Sequence, residues 1–258
     1  MNRIQPPRKL TSSRENLSLE PAFSIESGLF TAAARDAGRA LFAPVHYEAR
    51  YAYPLIVWLH GPDSDERQLL RIMPLVSMRN YVAAAPRGLA LAGGGLGREA
   101  LGWPQSPEEV QEAEQRIFEC IELAERKYHI ASHRVFLAGF DGGGSMALRV
   151  ALANPSRFAG VLSVAGALPW GHTPLSQLTT ARRLPVFLAV CRDSDQYPPS
   201  AACEDLRLFH TAGMSITLRQ YPCTHQLTPL MLRDMDRWII EQITSAAASQ
   251  VESCDRSP

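Results

Sequence analysis

Asp141, Asp195 and His225 are the side chains whose types and order suit acid–base or nucleophilic chemistry in this chain. Asp141 is the centre of Gly139-Phe140-Asp141-Gly142-Gly143, a G-x-S-x-G pattern with aspartate at the serine position. Such a sequence folds as a sharp strand-to-helix turn, the nucleophile elbow, that pushes its middle residue outward. Asp195 lies in Arg192-Asp193-Ser194-Asp195-Gln196-Tyr197-Pro198-Pro199, and His225 in Tyr221-Pro222-Cys223-Thr224-His225-Gln226. Nucleophile, acid, histidine is the chain order of a relay in which histidine takes the nucleophile's proton and the acid orients the ring. Asp193 competes with Asp195 for the acid position. Their alternative role is structural: both aspartates cap a helix and His225 is a surface turn residue.

The flanks of each group must hold it at one end of a sheet. Arg134-Val135-Phe136-Leu137-Ala138 is β-branched and apolar, the signature of a buried parallel strand. Ser145 to Leu152 reads as a helix stopped by Asn154-Pro155. Further buried strands are expected at Leu55–His60, Tyr81–Ala85, Phe158–Val164, Pro185–Val190 and Ile216–Tyr221, with an antiparallel edge strand over Ala40–Tyr47. A helix is expected to start near Asp65, with Asp63 and Ser64 as cap candidates and Leu69, Leu70, Met73 and Val76 on its apolar face. Ser106-Pro107-Glu108-Glu109 combines a cap, a first-turn proline and a capping box, and opens a helix reaching about Tyr128. The last helix spans about Pro229 to Ser245. Alternating strands and helices give a doubly wound, mostly parallel sheet. The stretch from Gly166 to Leu184 has room for one short helix and none for a large cap domain.

The chain has 258 residues and is 46% hydrophobic, enough for a sizeable core. We read one domain over 26–246, a flexible N-terminal segment over 1–25 and a flexible tail over 247–258. The 26 basic and 26 acidic residues cancel, which gives no electrostatic reason to expect nucleic acid or an anionic membrane as partner. Five scattered cysteines form no C-x-x-C pair, so neither a disulfide framework nor a zinc site is expected, and a cytoplasmic location fits best. The polar N-terminus lacks the apolar stretch of a signal peptide, and no run suits a membrane span. The glycine-rich stretch Leu89 to Gln105, with Gly93-Gly94-Gly95, Gly97 and Gly102, is long enough to lie over the site.

The chain resembles the phospholipase/carboxylesterase family, close to the acyl-protein thioesterases, of the α/β-hydrolase superfamily. The matching residues are Leu59-His60-Gly61, Gly139 to Leu148, the Asp195 loop ending in Pro198-Pro199, and Tyr221 to His225. Their order covers about Leu41 to Ile243. The resemblance implies an α/β-hydrolase fold without a cap, hydrolysis of small carboxylic esters or thioesters, and no cofactor. It implies Asp141 in the nucleophile position, Asp195 as acid and His225 as base. The oxyanion hole would use the N–H of Gly142 and of the residue after His60-Gly61. That residue is Pro62, which has no N–H. Unless Gly61 or Asp63 supplies the second donor, about 2.7–4 kcal/mol of transition-state stabilisation is lost. Trp103 and Trp170, in loops on the expected active face, are candidates for lining an acyl pocket or for packing anchors.

Aspartate changes the chemistry at the elbow. Serine attack on an ester gives an acyl-enzyme that water can open; carboxylate attack must pass through an anhydride. Aspartate at an elbow suits attack on an sp3 carbon, as in dehalogenases and epoxide hydrolases, which this chain resembles at Asp141, Asp195 and His225. Those enzymes use groups from a cap and a tryptophan after the nucleophile, where this chain has Gly142. Ser145, Ser64, Ser194 and Cys223 are weaker alternative nucleophiles, because each would need to reach His225 at about 2.6–3.2 Å. A metal held by Asp141, Asp193, Asp195 and His225 has no signal beyond the relay order itself. Three readings follow: an ester or thioester hydrolase, a catalytically silent binder of a small apolar ligand or protein partner, and an aspartate-nucleophile hydrolase.

Overall fold

The computed structural model describes residues 38–91, 100–171 and 176–254. The expected N-terminal segment and the glycines Gly93 to Gly95 and Gly97 lie outside the described residues. The chain enters through β1 (Arg39–Phe42), followed by β2 (Tyr53–Leu59), every residue of which is buried. Helix α1 (Gln68–Val76) starts later than Asp63 and Ser64 predict. Asp65 instead accepts a hydrogen bond from the Arg67 N–H at 2.9 Å, and the Glu66 carboxylate is taken by Arg87, so the cap signals are spent in the turn before the helix. Strand β3 (Val82–Pro86) follows, then β4 (Leu89–Ala90) and β5 (Leu101–Gly102), a short antiparallel pair.

Helix α2 (Pro107–Lys127) begins with both halves of the capping box formed: the Glu109 N–H donates to Ser106 Oγ, and the Ser106 N–H to Glu109 Oε2. Strand β6 (Ile130–Phe140) leads through Asp141 into α3 (Gly142–Ala153). After β7 (Gly160–Val164), the connection to β8 (Val186–Cys191) holds the short helix α4 (Leu178–Ala181) among its described residues. Helix α5 (Pro199–Thr211), β9 (Ile216–Tyr221) and α6 (Pro229–Cys254) complete the chain. Helix α6 continues past Ser245 because Ala246-Ala247-Ala248-Ser249-Gln250 contains no glycine or proline to stop it.

The seven strands of the main sheet run in the order β1-β3-β2-β6-β7-β8-β9, with β1 antiparallel at one edge and the other neighbours parallel. This is the mostly parallel sheet expected from the alternation of strands and helices, in the α/β-hydrolase arrangement that the resemblance implies. Successive residues of a strand point to opposite faces, and β2 shows the result. Leu55, Val57 and Leu59 pack with Ile117, Met146 and Val150 of α2 and α3; Ile56 and Trp58 pack with Met73 of α1 and Met235 and Trp238 of α6. Because β2, β6, β8 and β9 are parallel, the loops after them share one end of the sheet, where such folds bind ligands.

Candidate active site

The turn at Asp141 is set by backbone contacts that only glycine permits. A Cβ on Gly143 would collide with the carbonyl oxygen of Leu59, and one on Gly139 would collide with the Gly143 backbone. Strand β6 and helix α3 therefore approach closely enough to force Asp141 to φ 52°, ψ −121°, a conformation costly for a side chain with a Cβ. The Asp141 N–H donates to the Val164 carbonyl at 2.8 Å, and the Asp141 carbonyl accepts from the Ser145 N–H at 3.0 Å. The elbow is thus formed, with the Asp141 side chain 29% exposed.

His225 is carried on the loop after β9. Two tight turns, Cys223 N–H to the Tyr221 carbonyl and Gln226 N–H to the Thr224 carbonyl, each 2.9 Å, shape that loop. The Asp193 N–H ties it to the loop after β8 through the Cys223 carbonyl at 3.0 Å. The Phe140 ring lies against the imidazole, with 5.6 Å between centroids. Nε2 of His225 is 3.1 Å from Asp141 Oδ1. The two are in contact without an aligned hydrogen bond, for Nε2 is buried without a hydrogen-bond partner among the described residues.

Asp141 and His225 are brought together, but Asp195 is not joined to them. Asp195 is exposed and forms no hydrogen bond or ion pair with His225 among the described residues. Asp193 faces outward against Arg192, with contacts of 3.0 and 3.1 Å, and that hydrogen-bonded guanidinium holds its carboxyl below the usual range. Ser194, between them, is 4% exposed, and its Oγ lies 3.0 Å from Nδ1 of His225. The position expected of an acid is filled by a hydroxyl. Ser194, a minor candidate from sequence, thus meets the contact distance required of a partner to His225. The reason is local: the Tyr197 N–H donates to Ser194 Oγ at 3.1 Å, a turn that draws the hydroxyl inward and leaves both neighbouring carboxylates outside.

The oxyanion side is also altered. The Gly61 N–H donates to Gln68 Oε1 at 3.2 Å, so the expected substitute for Pro62 is already engaged. Asp63 sits exposed at φ 52°. Gly142, at the first position of α3, keeps an N–H that has no intrahelical acceptor, and beyond its own turn no atom of the described residues lies within 4 Å of where its Cβ would be. Among the described residues, space therefore adjoins the elbow beside Gly142.

His60 is fully buried and structural. The Gly88 N–H donates to its Nε2 at 3.0 Å, which leaves the ring proton on Nδ1 to donate to the Gly61 carbonyl at 2.9 Å. Burial pushes its pKa below the ordinary 6.5. Trp103 is 6% exposed and donates Nε1–H to the His60 carbonyl at 2.9 Å, the packing-anchor arrangement that is one of the two roles expected of it. Trp170 is 72% exposed. Its carbonyl accepts from buried Arg149 at 2.7 Å, and Arg149 also holds the Gly171 carbonyl and Gln105 Oε1. Among the described residues, no group of three or more His, Cys, Asp or Glu side chains converges as a metal site, and no helix is long and apolar enough to cross a membrane.

The family model described as phospholipase/carboxylesterase matches residues 100–243. A putative esterase, NocK, from Nocardia uniformis subsp. tsuyamanensis is 34% identical over 167 residues, 61% of this chain. The match spans 43% of that relative's length. Among solved structures, Arabidopsis thaliana SOBER1 superimposes with a TM-score of 0.62 at 19% identity, over 74% of this chain and 100% of that one. Zea mays acyl-protein thioesterase 2 gives 0.63 at 15% identity, over 79% and 98%. A Bacillus cereus carboxylesterase gives 0.63 at 16%, over 79% and 93%. These structural likenesses show the fold.

Proposed function

We propose, from the premise that this chain belongs to the phospholipase/carboxylesterase family, that it hydrolyses a small carboxylic ester or thioester by direct attack of water, with Asp141 and His225 as its acid–base pair. The observation that carries this reading is the Asp141 carboxylate, held in a strained elbow 3.1 Å from His225 Nε2. A strained residue beside an imidazole suits function better than stability. Asp141 would accept a proton from water as the water oxygen bonds to the carbonyl carbon. The Gly142 N–H would meet the developing oxyanion. As the bond from carbon to the leaving oxygen or sulfur breaks, the imidazolium form of His225 would protonate the leaving group from Nε2 and become neutral, and the proton on Asp141 then returns to the ring. No anhydride is formed. No step requires a cofactor.

Pro62 and the Gly61–Gln68 hydrogen bond favour a second reading, a catalytically silent site that binds an ester-like or apolar ligand. A screen with short p-nitrophenyl esters and acyl thioesters separates them. The hydrolase reading expects slow turnover that is lost in Asp141→Ala and His225→Ala. Binding of an acyl ligand with turnover at background in every form would establish the silent reading instead. Asp141→Ser should raise esterase activity and introduce labelling by fluorophosphonate, since it restores the hydroxyl that the elbow of this family presents. Attack by Asp141 on an sp3 carbon would show itself as oxygen-18 entering the Asp141 carboxyl during a single turnover in labelled water.

A further inference from the structure

We infer that Ser194 is the positioning residue that fixes the proton of His225 on Nε2, the reverse of the tautomer that a carboxylate at Nδ1 would impose. A serine hydroxyl has one proton to give and two lone pairs. The Tyr197 N–H occupies one lone pair at 3.1 Å, and His225 Nδ1 lies 3.0 Å from the same oxygen. If Nδ1 carried the ring proton, the Nε2 lone pair would face the Asp141 carboxylate at 3.1 Å, acceptor against acceptor, and the serine proton would have no partner at the ring. With the proton on Nε2, the positive N–H lies beside an anionic oxygen, off the line of a hydrogen bond, and the serine proton is donated to Nδ1.

Other groups around the ring do not upset this balance. Phe140 supplies an apolar face, Asp193 is engaged by Arg192, and Asp195 is exposed. Cys223, on the ring's own loop, is a buried thiol with its pKa pushed up to about 12, and so remains neutral. A hydroxyl also does what a carboxylate at this place does not. By rotating, it donates to neutral His225 and accepts from the imidazolium, so it serves both states of the ring during proton transfer.

The inference deepens the reading of His225 as proton donor, and its test is independent of activity. Nitrogen-15 NMR of the histidine rings, recorded without substrate at a pH where His225 is neutral and assigned through His225→Gln, reads the tautomer directly. Nε2–H is expected in the native protein and in Ser194→Thr and Asp195→Ala; Ser194→Ala should lose that single-tautomer signature. Native Nδ1–H, or a tautomer that shifts in Asp195→Ala and not in Ser194→Ala, overturns the inference. If Ser194→Ala does not fold, the native, Ser194→Thr and Asp195→Ala spectra still decide. An inactive protein with Nε2–H would leave the inference standing and sink the hydrolase reading, whereas turnover with Nδ1–H would do the opposite.

Discussion

Asp141 is held at φ 52°, ψ −121° by the close approach of Gly139 and Gly143, and a residue in such a conformation typically carries about 1–3 kcal/mol of strain. Glycine escapes that strain but enlarges the unfolded ensemble at a cost of about 0.5–1 kcal/mol. Asp141→Gly is therefore expected to stabilise the fold by about 1 kcal/mol, as read from urea unfolding, and under the proposed hydrolysis to show no turnover in an ester assay. A fall in stability would mean that the carboxylate's contact with His225 outweighs the strain. At this scale the sequence was legible where spacing alone decides. Gly139, Asp141 and His225 were readable because the elbow pattern and chain order state their geometry. Ser194 was not, since the contact with His225 depends on the Tyr197 N–H turning one hydroxyl inward between two outward carboxylates. Trp103 was ambiguous for a similar reason: composition does not say that its N–H finds the His60 carbonyl.

Among the elements, α3 matters most because its first turn rests on the end of β2. A methyl group on Gly143 would strike the carbonyl oxygens of both Leu59 and His60, which are backbone atoms and cannot swing aside. Overpacking of this kind costs about 1–3 kcal/mol in adaptable cores. Gly143→Ala should reach the top of that range or exceed it, measured as a lowered denaturation midpoint. Gly142→Ala, one residue earlier, would meet no atom of the described residues beyond its own turn within 4 Å; it should cost little and provides the control. The capping box of α2 was readable because Ser106 and Glu109 make their hydrogen bonds within one turn. The start of α1 was misread, as the same kinds of residue at Asp63, Ser64 and Asp65 are used in a loop whose course depends on distant Arg87.

The whole molecule places four loop ends at the carboxyl edge of one sheet, and its stability is linked to pH through a histidine behind them. His60 is buried and its folded-state pKa lies below 6.5, so the unfolded chain binds the proton more readily. Its contribution is complete above pH 6.5 and is lost as pH falls from there toward the depressed folded value. Unfolding free energy measured by urea should consequently rise with pH on the acid side of 6.5, and His60→Gln should flatten that part of the slope whatever its effect at neutral pH. An unchanged slope would show that His60 does not govern this window. The inner strands β2, β3, β7 and β8, buried on both faces, made the sheet readable from sequence; the length of α6 was less so, since an alanine-rich end without a stop signal reads equally as helix or tail.

The strained turn at Asp141 also bears on how such a site changes over generations. Codons of the GAC type for aspartate and of the AGC type for serine are connected, one base at a time, through glycine or asparagine. Those are residues that accept positive φ more readily than most. The elbow that strains its occupant therefore leaves a path between the two side chains on which each intermediate residue suits the turn.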